Sequence, residues 1–173
     1  MNTKRRSHLF AWRLGTLSLL ICGSQMSQAS EMPGGQILFN PFPDCTYLQI
    51  SLSARKLNFY DRDRPVKTYP VAIGRTGWET PVGNFQVLDM QRNPVWKHPL
   101  TGRIVRAGVP ENPMGLHWIQ FATAGENQVG LHGTPHPWTI GKAASHGCVR
   151  MYPKDIEALY SRICVGTPVI IVR

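Results

Sequence analysis

The densest run of reactive side chains in the chain is Ser145-His146-Gly147-Cys148-Val149-Arg150-Met151, with His132-Gly133-Thr134 thirteen residues before its first member. A cysteine attacks a carbonyl as the thiolate, and near neutral pH a thiolate needs a proton acceptor or a cation beside the sulfur. Two histidines and Arg150 are at hand. A strand carrying His132 beside a turn carrying Cys148 brings imidazole and sulfur together across adjacent elements. His146, two residues from Cys148, shares its face without having to point at it. The reading is therefore Cys148 as nucleophile and His132 as general base, with Cys148 open to alkylation well below about pH 8.5. Gly147 permits a tight turn in which the N–H groups of Gly147 and Cys148 converge on one spot. Such a spot holds an oxyanion, and one donor there contributes about 2.7–4 kcal/mol to lowering a barrier. Arg150 could lower the thiol pKa, bind a substrate carboxylate or cap the loop, and the residue type leaves these open.

Blander readings are weighed against these. A lone cysteine is often a buried, inert thiol, but flanking by Gly147, two histidines and Arg150 argues against that for Cys148. Zinc is a rival chemistry, since His132 and His136 are four apart and His146 and Cys148 would complete four ligands. Pro135 and Pro137 flank His136, however, and prevent the helix that makes this spacing useful. No metal site is expected. His98, His117 and His136 read as surface or packing histidines, Trp118 and Trp138 as core rings, and Pro81 and Gly83 as residues that shape a loop.

The elements that must position these groups are short. Residues 47–52 and 57–60 alternate apolar and polar around the interruption Ala54-Arg55-Lys56, which predicts a β-hairpin. Val66 to Ile73 reads as a third strand, and Asn84–Leu88, Leu116–Phe121 and Val129–Gly133 as further strands. Residues 89–115, rich in Pro and Gly, are expected to wander over the surface. One helix stands out, opened by Pro153 and carrying Ile156, Leu159, Tyr160 and Ile163 at helical spacing before Gly166 stops it. The continuous apolar run Pro168–Val172 predicts a buried terminal strand. The fold class is mainly β with one clear helix in the C-terminal half, of sandwich or barrel type.

Length allows one domain of ordinary size: 173 residues, with 17% charged, 16 Gly and 14 Pro, suit neither a coiled coil nor a low-complexity chain. Residues 1–29 read as a secretory signal peptide: Lys4, Arg5, Arg6 and Arg13 precede an apolar run from Leu14 to Gly23, and Ser27-Gln28-Ala29 suits a cleavage site. The run is about ten residues, against about 20 for a membrane-crossing helix, so no stable membrane insertion is expected after cleavage. Residues 30–44 read as a flexible leader and 45–173 as the domain. Without the signal the formal charge falls from +9 to +5, mild attraction to anionic polymers with no basic run that suggests nucleic acid. Cys45, Cys148 and Cys164 then remain in an oxidising compartment. Cys45 and Cys164, near the two ends, could staple the termini and leave Cys148 as the free thiol.

Together, His132-Gly133-Thr134 and Ser145-His146-Gly147-Cys148-Val149-Arg150-Met151 resemble the signature of the L,D-transpeptidase catalytic domain, the YkuD-type enzymes of bacterial peptidoglycan. The likeness extends to Gln49–Leu57 as the opening hairpin, Tyr69–Gly74 as the third strand, and Thr80-Pro81-Val82-Gly83-Asn84-Phe85 as the Thr-Pro-x-Gly-x-Phe loop. The resemblance implies a β-rich catalytic domain in which Cys148 accepts the acyl group and His132 is its base. Gly133 would orient the imidazole through its carbonyl, and the Ser145-His146-Gly147 backbone would shape the oxyanion site. It also implies a tetrapeptide stem as donor, release of D-Ala as a thioester forms, and capture by a stem amine to give a 3→3 cross-link. Water as acceptor would make an L,D-carboxypeptidase, and a protein lysine an enzyme that anchors an envelope protein to the wall. No cofactor is implied, and the expected setting is a monomer exported to the periplasm or cell envelope. A reading from another class, a wall-binding module that keeps the fold without catalysis, would need nucleophile, base or loop glycine to be missing.

Overall fold

The computed structural model describes residues 46–98, 100–125 and 127–173. The signal peptide, the leader and Cys45 lie outside the described residues, and with Cys45 the suggested staple to Cys164. Along the chain run β1 (Thr46–Ser51), β2 (Lys56–Asp61), β3 (Arg64–Pro70), β4 (Ile73–Gly74), β5 (Gly83–Gln86), β6 (Asp89–Arg92), β7 (Trp96–Lys97), β8 (Ile104–Val105), β9 (His117–Ala124) and β10 (Asn127–Gly133). A short 3-10 helix at Pro137–Thr139 leads to β11 (Ala143–Ser145), β12 (Val149–Met151), α1 (Pro153–Tyr160) and β13 (Pro168–Val172).

Two sheets share one core. The first has the order β3-β2-β1-β13-β5 and the second β12-β10-β9-β6. The hairpin closes as its alternation requires, with Leu48 opposite Phe59 and Ile50 opposite Leu57, all four buried. β13 runs parallel to β1, Leu48 facing Val169 and Ile50 facing Ile171. From the second sheet Ile119, Phe121, Val129, Leu131, Val149 and Met151 enter the same cluster, and the Phe85 and Phe121 rings meet at 5.7 Å. Helix α1 opens on Pro153, whose missing N–H costs nothing in a first turn, and buries Ile156 and Leu159 in this cluster. The helix ends at Tyr160 rather than reaching Ile163, because the chain turns there to feed β13.

Two further expectations are corrected. The third strand stops at Pro70, where the chain bends away: the Val71 N–H goes to the Arg55 carbonyl, and Ile73 joins Ala143 in a parallel pair. Residues 89–115 do not simply wander. β6 pairs antiparallel with β9, Met90 opposite Ile119, and β7 pairs with β8. Asp-Met-Gln-Arg carries no apolar alternation, so its strand depends on the partner that β9 offers.

Candidate active site

The site is built where β10 and β12 lie parallel, with His132 opposite Arg150 and Leu131 opposite Val149. Cys148 immediately precedes β12, so it falls on the same face as Arg150 and beside the β10 positions that lead to His132. β10 carries a bulge between Val129 and Gly130. A Cβ at Gly130 would lie 2.3 Å from the Ile119 carbonyl oxygen and 2.7 Å from Trp118 Cη2, so only glycine lets this strand lie so close over Trp118. Trp118 is buried as expected, whereas Trp138 is 66% exposed beside His136 and is no core ring.

His132 is 6% exposed, and its Nδ1 bonds the Gly133 carbonyl. A carbonyl only accepts, so Nδ1 carries the proton and Nε2 keeps its lone pair. Burial pushes the imidazole pKa down to about 4, against the Gly133 carbonyl, which raises it, and with the Arg150 charge, which lowers it further. The resting imidazole is neutral.

The Cys148 thiol donates to the Gln128 carbonyl at 3.8 Å. Burial pushes its pKa up, and the Gly130 N–H and the Arg150 charge oppose this without reversing it. Burial thus opposes the early alkylation expected from the flanking cations and favours a neutral thiol and a neutral imidazole at rest.

The turn before Cys148 is clamped from several sides. Gly147 has φ +107°, a conformation that side chains rarely adopt. Ser145 Oγ donates to the Cys148 carbonyl and accepts the Gly147 N–H at 3.2 Å. The expected convergence of the Gly147 and Cys148 N–H groups is thereby corrected, since the Gly147 N–H is turned inward onto Ser145. Buried Thr80 completes the clamp: its hydroxyl donates to the Gly147 carbonyl and accepts the Gly74 N–H, both at 2.9 Å. Gly74 has no room for a side chain, because a Cβ there would sit 2.0 Å from the Trp78 carbonyl oxygen.

In the sequence Thr80 stands out only as part of the Thr-Pro-x-Gly-x-Phe motif, because one of its partners, Gly147, lies 67 residues away. Thr80→Val should leave two buried backbone groups unsatisfied and destabilise the fold by about 2–4 kcal/mol, while Thr80→Ser keeps most of the stability. Urea midpoints of the three proteins check this; equal midpoints for the valine and serine variants would contradict the clamp.

His146 is exposed. Its Nε2 is 2.8 Å from Arg75 Nη2, and its ring stands edge-on to Trp78 at 4.8 Å. Because a guanidinium only donates, His146 Nε2 is the acceptor. Burial, then the Arg75, Arg150 and His98 charges, lower the His146 pKa. Arg150 is half-buried, its backbone tied to Ala72 by two hydrogen bonds of 2.9 Å.

His132, Ser145, His146, Cys148 and Arg150 open onto one cleft of about 550 Å³, while Gly133 and Gly147 contribute backbone behind it. The hairpin β7–β8 supplies the opposite wall through Trp96, Lys97 and His98. His98 thus belongs to the cleft, where its Nδ1 accepts the Leu100 and Thr101 N–H groups. His117 packs against Tyr160 at 4.9 Å. The arrangement offers a shielded thiol, a neutral imidazole with a free lone pair and a cation in one cleft, the set required for acyl transfer.

A β-rich fold of two main sheets, two short strand pairs and one α-helix, with cysteine, histidine and arginine gathered at a parallel strand pair, is that of the L,D-transpeptidase catalytic domain, whose family model matches residues 46–171. The chain belongs to this family. It is 36% identical to the YkuD protein of Bacillus licheniformis over 85% of this chain and 77% of that one. It is 32% identical to the YkuD protein of Bacillus subtilis over 94% and 89%, and 34% identical to Escherichia coli YcfS over 72% and 43%. Among solved structures, an L,D-transpeptidase from Mycobacterium smegmatis superposes with a TM-score of 0.62 at 21% identity, covering 74% of this chain and 58% of that one. L,D-transpeptidase 3 from Mycobacterium tuberculosis gives 0.58 at 18%, covering 75% and 61%.

Proposed function

We propose that the chain is an exported cysteine transpeptidase of peptidoglycan stem peptides that works through a thioester on Cys148. The observation that carries this is the β10–β12 register, which sets Cys148 and Arg150 beside Gly130 and His132 on one cleft, with His132 Nδ1 tied to Gly133 so that Nε2 is the basic nitrogen. For proton transfer the sulfur has to leave the Gln128 carbonyl for that nitrogen, by a change of the Cys148 χ1 rotamer.

The S–H proton passes to Nε2 as sulfur bonds the carbonyl carbon of the donor's third stem residue. The tetrahedral oxyanion is held by the Cys148 N–H, the donor left at the turn once the Gly147 N–H has gone to Ser145. The C–N bond to D-Ala then breaks, and the imidazolium returns its proton to the leaving amine. A stem amine attacks the thioester next; its proton passes to His132 and on to the departing sulfur, leaving a 3→3 cross-link. Export rests on the reading of residues 1–29 as a signal peptide, and no helix among the described residues is long and apolar enough to cross a membrane. The enzyme is read as a monomer of the periplasm or cell envelope.

Incubation with tetrapeptide muropeptides and mass analysis of the products tests this. Released D-Ala and dimers are expected. Tripeptide without dimers would make the chain an L,D-carboxypeptidase, attachment to a protein lysine an anchoring enzyme, and unchanged muropeptides would overturn the proposal.

A further inference from the structure

The cleft is electrically one-sided. Lys97 and Arg150 line it together with three histidines, and no Asp or Glu is among its lining residues. Arg150 is half-buried, and among the described residues no carboxylate pairs with its guanidinium. Arg75, exposed and outside the cleft lining, reaches the cleft through the lining residue His146. Its backbone N–H is fixed to the Ser145 carbonyl at 3.1 Å, so the residue rides on the same strand pair as the turn. Its guanidinium meets only a neutral acceptor, His146 Nε2 at 2.8 Å. Glu79, the acid closest along the chain, is turned away onto the Gly77 N–H at 2.8 Å. Burial lowers the Arg150 pKa, and the Arg75 charge lowers it further. Unpaired like charges held beside a partly desolvated cleft call for an anion, and the planar fork of arginine suits a carboxylate.

We infer that Arg75, His146 and Arg150 form a carboxylate subsite beside Cys148, and that Arg75 makes the enzyme select acyl donors bearing a free carboxylate over those bearing a carboxamide. The inference rests on the transpeptidase reading and deepens it by naming a donor chemistry. The carboxylate has two possible sources on a tetrapeptide stem: the terminal carboxylate of the leaving residue, or the side-chain carboxylate of a diamino acid at position three. On arrival it takes the Arg75 donors that rest on His146 and reaches Arg150, two residues along the strand from the sulfur.

Equilibrium binding to the Cys148→Ala variant, which keeps the cleft and cannot react, separates recognition from chemistry. Three stems are titrated: the free acid, the C-terminal carboxamide and the side-chain carboxamide. The free acid should bind about tenfold more tightly than the carboxamide that removes the recognised group, the loss identifying which carboxylate is read. Adding Arg75→Gln should bring that ratio close to one, and Arg75→Lys should restore part of it. Equal binding of all three stems, or a preference that survives Arg75→Gln, overturns the inference. Turnover of the free acid by the unmutated enzyme is followed in parallel. Turnover without carboxylate preference overturns the subsite and leaves the transpeptidase reading standing, whereas no turnover and no acyl adduct with any stem overturns both.

Discussion

Cys148→Ala should lose turnover by at least about 10⁴-fold, to background, since no other group in the cleft can form the acyl intermediate. The same substitution should abolish the acyl adduct that the proposed thioester would leave on the protein, read as a mass increase of the intact chain. Cys164, which is exposed, is the internal control: an adduct that persists in the Cys148→Ala protein would place the chemistry elsewhere. Unchanged turnover would place the nucleophile elsewhere, whereas no turnover by the unmutated protein would favour a wall-binding module that retains the fold without the reaction. Because burial raises the Cys148 pKa, its alkylation by iodoacetamide should grow only on the alkaline side, and fast labelling near neutral pH would contradict the neutral resting pair.

That pair shows where sequence reasoning reaches its limit. Arg150 and two histidines around a cysteine suggest an acidified thiol, because charges can be read from residue types. Burial cannot, and here burial decides the sign for both Cys148 and His132. The same division holds for the fold. The hairpin of β1 and β2, helix α1 and strand β13 were legible because each buries one face or a whole run, and burial imposes a period. β4, β6, β11 and β12 were not, because two to four residues carry no period; these strands exist through their partners, as in the pairing of Ile73 with Ala143.

The candidate site divides in a similar way. Cys148 and His132 could be picked out by type and spacing, and both open onto the one cleft. Thr80 and Arg75 could not, for they act on the turn across 67 and 71 residues of sequence. The tight turn expected at Gly147 is present, with φ +107°, but the direction of its N–H depends on the Ser145 hydroxyl and so on the folded turn.

His132→Gln gives the second large effect and tests the base through two independent readouts. Glutamine can still donate to the Gly133 carbonyl, so the fold is kept while the basic nitrogen is lost, and acylation should slow by about 10²–10⁴-fold. Stability should respond to pH in the same sense as activity, both falling as the imidazole is protonated. In the unfolded chain the imidazole takes a proton near 6.5, whereas in the folded protein it resists until about 4. The stability that His132 contributes is therefore complete above pH 6.5 and is lost as pH falls toward 4, roughly 3 kcal/mol in all. Carboxylates add their own slopes in acid, so the informative quantity is the difference between parent and variant. Urea unfolding at pH 7 and at pH 4.5 should show the parent losing more stability than His132→Gln over that interval. Parallel losses would mean that the imidazole is not held neutral by burial, and the base at the centre of the proposed mechanism would then be protonated at the acid end of its working range.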